Sequence, residues 1–172
     1  MTEKKWVLMT NDDGIEAPGF KHLVKAMNSA GIPLVAFAPS TNKSACSMQL
    51  NLGKPIDLHN RRELIKEWGL DETVGVHLFA LDGTPCDTMI VALDGGLKHV
   101  LPDVEPSLVL SGVNLGPNLS QDSYHSGTMG AAREAGLYGL PAIASSYTSF
   151  DPSGMQVGIE ATVELVQRVL PL

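Results

Sequence analysis

The chain is short of the features that mark several common protein classes. It has two cysteines, Cys46 and Cys86, in 172 residues. Neither a disulfide framework nor a Cys-x-x-Cys metal module can be built from them, and such usage suits a reducing compartment. Cationic side chains are few: 12 Lys and Arg stand against 19 Asp and Glu, for a net charge of -7. That balance disfavours coating of DNA or RNA. Two Trp, three Tyr and four Phe make too thin a supply for base-stacking platforms, so no nucleic-acid polymer is expected as a partner. No apolar run approaches the roughly 20 residues that cross a bilayer, and no membrane partner is expected. The opening "MTEKKWVLMT" lacks the long apolar core and small-residue cleavage site of a secretory leader, so a cytoplasmic setting is expected. What is present is ordinary for a globular protein, 44% hydrophobic and 18% charged. The length suits one domain over residues 1–172 with a substantial buried core.

Apolar patterning alternates between two kinds. "WVLMT" (6–10), "PLVAFAP" (33–39), "GVHLFAL" (75–81), "SLVLSGV" (107–113) and "AIASS" (142–146) are short continuous runs, the mark of strands buried on both faces. Between them lie helical patterns. Phe20, Leu23, Val24 and Met27 fall on one face of 18–31, with Pro18 suited to the first turn and Gly31 to the stop. A helix is expected over 84–97, an Ala-rich one over 127–139, and a final one over 155–170 with Ile159, Val163, Val166 and Leu170 on one side. Residues 40–54 and 114–126 read as loops, and 54–74 reads as a hairpin or excursion of no definite type. Strands alternating with helices predict an α/β fold with a Rossmann-like three-layer core and a mostly parallel sheet. In such sheets ligands gather beyond the carboxyl ends of the strands. Four polar, small-residue loops leave those ends: 11–17, 40–46, 82–85 and 114–126.

The first of these loops is the most pointed. "TNDDGIEAPG" sets Asp12 beside Asp13 directly after a buried strand. A hard divalent cation would relieve their repulsion and offer charge to a phosphate. Acids near a helix start are the plainer explanation. The alternating acids of an EF-hand loop are missing. In "APSTNKSACS" a Ser oxygen could complete a cation's shell, although Ser, Thr and Asn are also ordinary turn formers. "SGVNLGPNLSQDSYHSGTMGAAREAG" places Asn114 and Asn118 after a strand and Ser126-Gly127-Thr128 where a helix begins. Free N–H groups at a helix start, with no side chain on Gly127, make an anion site. Ser126 or Thr128 can equally be just the N-cap. His125, beside them, is a candidate acid or a plain surface residue. In "LDGTPCD" the preferred reading of Thr84 is a helix cap over a pocket-lining role.

Taken in order, "TNDDGIEAPG", "APSTNKSACS", "GTPCD", "SGVNLGPNLSQDSYHSGTMGAAREA" and "GLPAIASS" resemble the SurE family of survival proteins, metal-dependent nucleotidases, over nearly the whole chain to about Ser146. The resemblance implies hydrolysis of nucleoside monophosphates to nucleoside and phosphate, with short polyphosphate as a second substrate. It implies one divalent metal ion, usually Mg or Mn, held by Asp12, Asp13, the Ser44 hydroxyl and the Asn114 side-chain oxygen. Phosphate contacts would come from Asn118, Ser126, Gly127 and Thr128. Asp12, Asp13 and His125 would be the catalytic groups, His125 protonating the leaving oxygen and Asp12 standing as the alternative nucleophile or base. Met129 replaces the family's usual Val, and Glu134-Ala135 its usual Glu-Gly. Family members usually run longer, through a later segment that forms an extended arm and helps subunits associate as homodimers or homotetramers. That segment is not evident here, so the rival to an active enzyme is an inactive binding or assembly module of the same fold. A phosphoacceptor receiver domain is excluded: the middle strand ends in "SGVN" rather than an Asp, and no Lys follows Lys98.

Overall fold

Both faces of the central strands are covered, which is why they read as unbroken apolar runs. The computed structural model describes residues 4–170. Residues 1–3 of the opening stretch and the closing Pro171-Leu172 lie outside the described residues. Along β1 (Trp6–Thr10), Val7 and Met9 enter one core and Leu8 the other. In β2 (Leu34–Pro39), Leu34, Ala36 and Ala38 face the first core while Val35 and Phe37 face the second. β4 (Val76–Leu81) and β5 (Pro106–Leu115) alternate in the same way. With β3 (Leu58–Asn60) and β6 (Ala142–Tyr147) they form one six-stranded sheet in the order β3-β4-β2-β1-β5-β6.

Helices close both faces. α1 (Pro18–Ser29), α2 (Arg62–Trp68) and α7 (Met155–Val169) bury Phe20, Leu23, Leu64, Ile65, Ile159 and Val166 against the first face. α3 (Pro85–Val91), α4 (Leu97–Val100) and α6 (Gly127–Leu137) bring Met89, Leu97, Ala131 and Ala135 to the second. The chain is therefore three-layered and α/β, as its pattern predicts. None of its described helices is long and apolar enough to cross a membrane.

Three stretches depart from the sequence reading. Residues 54–74 contain β3, antiparallel to β4 at the sheet edge, and α2, which ends at Gly69 in the left-handed conformation (φ 67°). Three exposed or half-exposed residues in β3 and a single helical turn's worth of apolar positions in α2 are too short to declare a period. The helix expected over 84–97 stops at Val91, and a wider π turn (Ala92–Gly96), with Gly95 at φ 107°, leads into α4. Its start is as expected: Thr84 accepts from the Asp87 amide while the Asp87 carboxylate accepts from the Thr84 amide, a complete capping box. Finally, β5 runs on to Leu115, and the loop after it contains a short helix, α5 (Asp122–His125).

The connections set where a ligand can lie. From β1 the chain crosses to β2 and then β4 on one side, while β5 and β6 lie on the other. The strand order reverses between β1 and β5, which opens a crevice at their carboxyl ends. Between the pairs Ser111–Ala144 and Asn114–Ser146, two residues of β5, Gly112 and Val113, stand against one of β6, Ser145. Such an extra residue re-aims the side chains that follow it.

Candidate active site

The crevice holds a cavity of about 230 Å³ lined by Asp12, Ser44, Asn114, Asn118, His125 and Ser126, together with Ala45, Leu115, Asp122 and Phe150. Six residues singled out from three separate sequence stretches thus meet at one place. Asp13 lines a neighbouring cavity, and Leu115 borders both. Gly127 and Thr128, next in the chain to Ser126 on the cavity wall, pack against Asp12.

The β1 end is fixed by buried hydrogen bonds. Asn11, fully buried, donates from Nδ2 to the Gly14 carbonyl at 2.9 Å and accepts from the Gly14 amide at 3.2 Å. Gly14 has φ 101°, and a Cβ there would stand 3.2 Å from the Thr41 carbonyl carbon. A side chain would be strained by the backbone conformation and tight against Thr41, so glycine is what lets the backbone turn after the acid pair. Asp12 is 3% exposed, and its Oδ1 accepts from the Thr128 hydroxyl at 2.7 Å. Thr128 is itself fully buried.

The start of α6 meets this carboxylate. Ser126 caps the helix, accepting from the Met129 amide at 3.1 Å. The Ser126 and Thr128 hydroxyls are thus engaged within the protein. The Gly127 and Thr128 amides occupy the first two helical positions and have no acceptor inside the helix. They are the groups left to meet an anion, with the positive end of the helix behind them. A Cβ on Gly127 would stand 2.8 Å from Cys46 Sγ and 2.9 Å from Asp12 Cβ. Glycine is required there by packing as well as by any ligand.

Charge is concentrated rather than balanced. Burial first, and then the neighbouring Asp12, push the Asp13 carboxyl up to about 6, partly offset by the Leu115 backbone amide. Two adjacent acids with this surplus suit a cation. Ser44, on the exposed segment after β2, receives no buried bond; its amide donates to Asn42 Oδ1 at 2.9 Å. Asn114 donates from Nδ2 to the Gly116 carbonyl at 2.8 Å, which leaves its side-chain oxygen for another partner. Asn118 donates to Ser146 Oγ at 2.8 Å. His125 is exposed at the rim, and its carbonyl accepts from the Ser47 amide at 2.8 Å.

Sequence reasoning passed over several residues here. Cys46 packs against Gly127 and Asp12, and its thiol is pushed up to about 11 by burial and by Asp12. Phe150 lies 76% exposed at the cavity rim, its ring so close to Gly116 that a Cβ there would touch it. No periodicity announces either one. Asp122 stands one helical turn before His125, a spacing visible in the sequence once α5 is known.

The profile of the family described as Survival protein SurE matches residues 7–171. Among curated relatives, the 5'-nucleotidase SurE of Paramagnetospirillum magneticum is 36% identical, over 88% of this chain and 52% of its own length. The 5'-nucleotidase SurE of Anaeromyxobacter sp. is 37% identical over 95% of this chain and 57% of its own. A crystal structure of the SurE protein from Aquifex aeolicus superposes with a TM-score of 0.76 at 31% identity, covering 96% of this chain and 60% of that one. The chain spans somewhat over half the length of the curated relatives it matches.

Proposed function

The chain belongs to the SurE family, and on that footing we propose that it is a phosphomonoesterase that releases phosphate from nucleoside monophosphates with one divalent cation, Mg or Mn. The observation that carries this reading is the meeting of Asp12, Ser44, Asn114, Asn118, His125 and Ser126 around one cavity at the point where the strand order reverses. The names of the relatives supply the reaction; the cavity supplies residues suited to it.

Asp12, Asp13, Ser44 and Asn114 would hold the cation. Two carboxylates, a hydroxyl and an amide oxygen are a hard, all-oxygen donor set. The raised Asp13 carboxyl is the charge surplus such an ion offsets. When bound, a divalent ion supplies Lewis acidity toward phosphate and lowers the pKa of water. The remaining work belongs to the protein. The Gly127 and Thr128 amides receive phosphate oxygens as their charge grows. Asn118 gives one amide hydrogen to Ser146 and keeps the other for the phosphate. The Thr128 hydroxyl holds Asp12 in one orientation, which suits this carboxylate to a ligand's role, with nucleophile or base as the alternative. His125, exposed at the rim, donates a proton to the leaving ribose oxygen. Short polyphosphate would use the same amides. Subunit association into dimers or tetramers, and a cytoplasmic setting in keeping with free Cys46 and Cys86, complete the reading.

The test is phosphate release from a panel of nucleoside monophosphates with Mn or Mg, repeated with EDTA. Release that EDTA abolishes is the expected result. A folded, metal-supplemented sample that releases none would overturn the reading in favour of an inactive module.

A further inference from the structure

The short helix α5 brings Asp122 and His125 to the cavity wall, yet it buries none of its own side chains. A single helical turn does not hold its shape by its own hydrogen bonds. What fixes it is a set of polar contacts from two other segments. The Asp122 carbonyl accepts from the Ser126 amide at 3.1 Å, and the His125 carbonyl from the Ser47 amide at 2.8 Å. The Tyr124 carbonyl accepts from the Ser47 hydroxyl at 2.6 Å. The Ser123 carbonyl accepts from Arg133 Nη1 at 3.1 Å. Carbonyls at the end of a helix have no partner within it, and here Ser47 and Arg133 supply the partners.

Arg133 also makes a second contact. Its guanidinium stands over the Tyr124 ring, 5.8 Å from the centroid. A cation on that face holds a ring that is otherwise 69% exposed. The place of Arg133 in the fold gives these contacts their weight. One extended residue, Ser126 (φ -71°, ψ 125°), separates α5 from α6 and ends one helix as it caps the other. Rotation about Ser126 would swing α5 away from the α6 amides. Arg133 lies on α6 about two turns beyond that joint and reaches back across it to Ser123 and Tyr124. The distance between the Gly127 and Thr128 amides and the His125 imidazole is therefore set in part by Arg133.

We propose that Arg133 is a positioning residue for proton transfer: by bracing α5 against α6 it keeps His125 at the leaving oxygen of a phosphate held by the α6 amides. The proposal rests on the phosphomonoesterase reading above and adds a residue which that reading does not use. Arg133 is not on the cavity wall and acts through α5. In the step concerned, the bond from phosphorus to the ribose oxygen breaks and its electron pair goes to that oxygen, which takes the imidazole proton. Water makes the new bond to phosphorus and yields a proton to solvent. An alkoxide needs the imidazole proton, whereas p-nitrophenolate leaves as a stable anion without it.

Arg133→Met keeps the long stem and removes the donors and the charge. Adenosine monophosphate and p-nitrophenyl phosphate are compared as substrates with saturating Mn. The expected result is that kcat for the nucleotide falls about tenfold to a hundredfold, while kcat for the nitrophenyl ester and both KM values stay within about twofold. Arg133→Lys, which retains a cation and an N–H donor, recovers most of the loss. A merely structural role would lower both esters together. Amide hydrogen exchange supplies a readout independent of turnover: the Ser47 and Ser126 amides, which donate to α5, exchange about tenfold faster in Arg133→Met, and those of the α6 interior do not. Equal loss on both esters, loss on neither, or unchanged exchange at the two amides overturns the proposal. A wild type that releases phosphate from no ester sinks the phosphomonoesterase reading instead, and exchange then decides alone: faster exchange confined to Ser47 and Ser126 upholds the brace, and unchanged exchange removes it.

Discussion

Residues 11–14 reach the cavity from inside the protein, whereas residues 40–47 reach it across the surface. In the first stretch Asn11 and Asp12 are buried and tied to Gly14 and Thr128. In the second, Ser44 and Ala45 are exposed, and the segment is clasped by its backbone: the Lys43 amide donates to the Asp12 carbonyl at 2.6 Å and the Ser47 amide to the His125 carbonyl at 2.8 Å. One stretch is part of the core and the other rests on it. The site thus has a rigid half whose geometry is inseparable from stability, and an adaptable half that can be altered without unfolding the chain. Substitutions on the two sides should separate activity from stability accordingly.

The largest effect belongs to Asp13→Asn, which removes a ligand and a strained charge together. Activity should fall more than about a hundredfold, measured as phosphate release with saturating Mn. Stability should move the other way in cation-free buffer. The Asp13 carboxyl rises from 3.8 to about 6 on folding, so the folded state holds its proton longer than the unfolded state. Stability of the cation-free wild type therefore falls as pH rises from about 4 through about 6, then levels. The variant lacks that loss, and thermal melts should show its advantage opening across the same window. The stabilisation that Mn gives the wild type should likewise be greater at pH 7.5 than at pH 4.5. A wild type and variant whose melting curves shift in parallel with pH would show that Asp13 is no source of the instability.

Thr128→Val comes next and tests the rigid half. The substitution keeps the shape of a fully buried side chain and deletes the 2.7 Å bond to Asp12. An unpaired, nearly buried carboxylate should cost about 1–3 kcal/mol, read from denaturant unfolding. Activity should drop with it, because the same bond orients the proposed ligand. A variant as stable and as active as the wild type would mean that Asp12 is held by something other than this hydroxyl.

These expectations bear on how much could be read before the structure. Buried central strands, α1, α6 and α7 were legible because burial on two faces and helical spacing leave long, regular signatures. β3 and α2 were not, since three edge residues and seven helical ones carry too little pattern. The acid pair and the Ser126-Gly127-Thr128 start were legible as chemistry, but their partnership was not. Thr128 and Asp12 are 116 positions apart, and only the β1–β5 reversal brings them together. The same holds for Cys46 beside Gly127, and for the cavity that Asp13 lines, whose walls come from α1, the 115 turn and α7.

Ser44→Ala tests the adaptable half with a smaller effect. Its hydroxyl is exposed and the loop's clasps are backbone bonds, so stability should change by less than about 0.5 kcal/mol. Affinity for Mn should weaken about tenfold if the hydroxyl is a ligand, measured by calorimetry on cation-free protein. A loss of stability comparable to that of Thr128→Val would erase the distinction between the two halves.

Ala45→Gly should have the smallest effect and sharpens the comparison most. Ala45 adopts φ 59°, a left-handed conformation that costs an L-residue about 1–2 kcal/mol. Glycine removes that cost but gives the unfolded chain more freedom, worth about 0.4–1 kcal/mol. The net gain in stability should lie between about zero and about 1.6 kcal/mol. What the alanine contributes is position: a strained residue directly after Ser44 narrows where that hydroxyl can point. Glycine frees it, so the variant should be slightly more stable and bind Mn slightly less well. Because both shifts are small and opposite in sign, they must be read in one sample by melting curves with and without Mn. A gain in stability with undiminished Mn affinity would mean that Ser44 is positioned by the clasps at Lys43 and Ser47 alone, and that the strain at Ala45 serves the fold of the loop rather than the site.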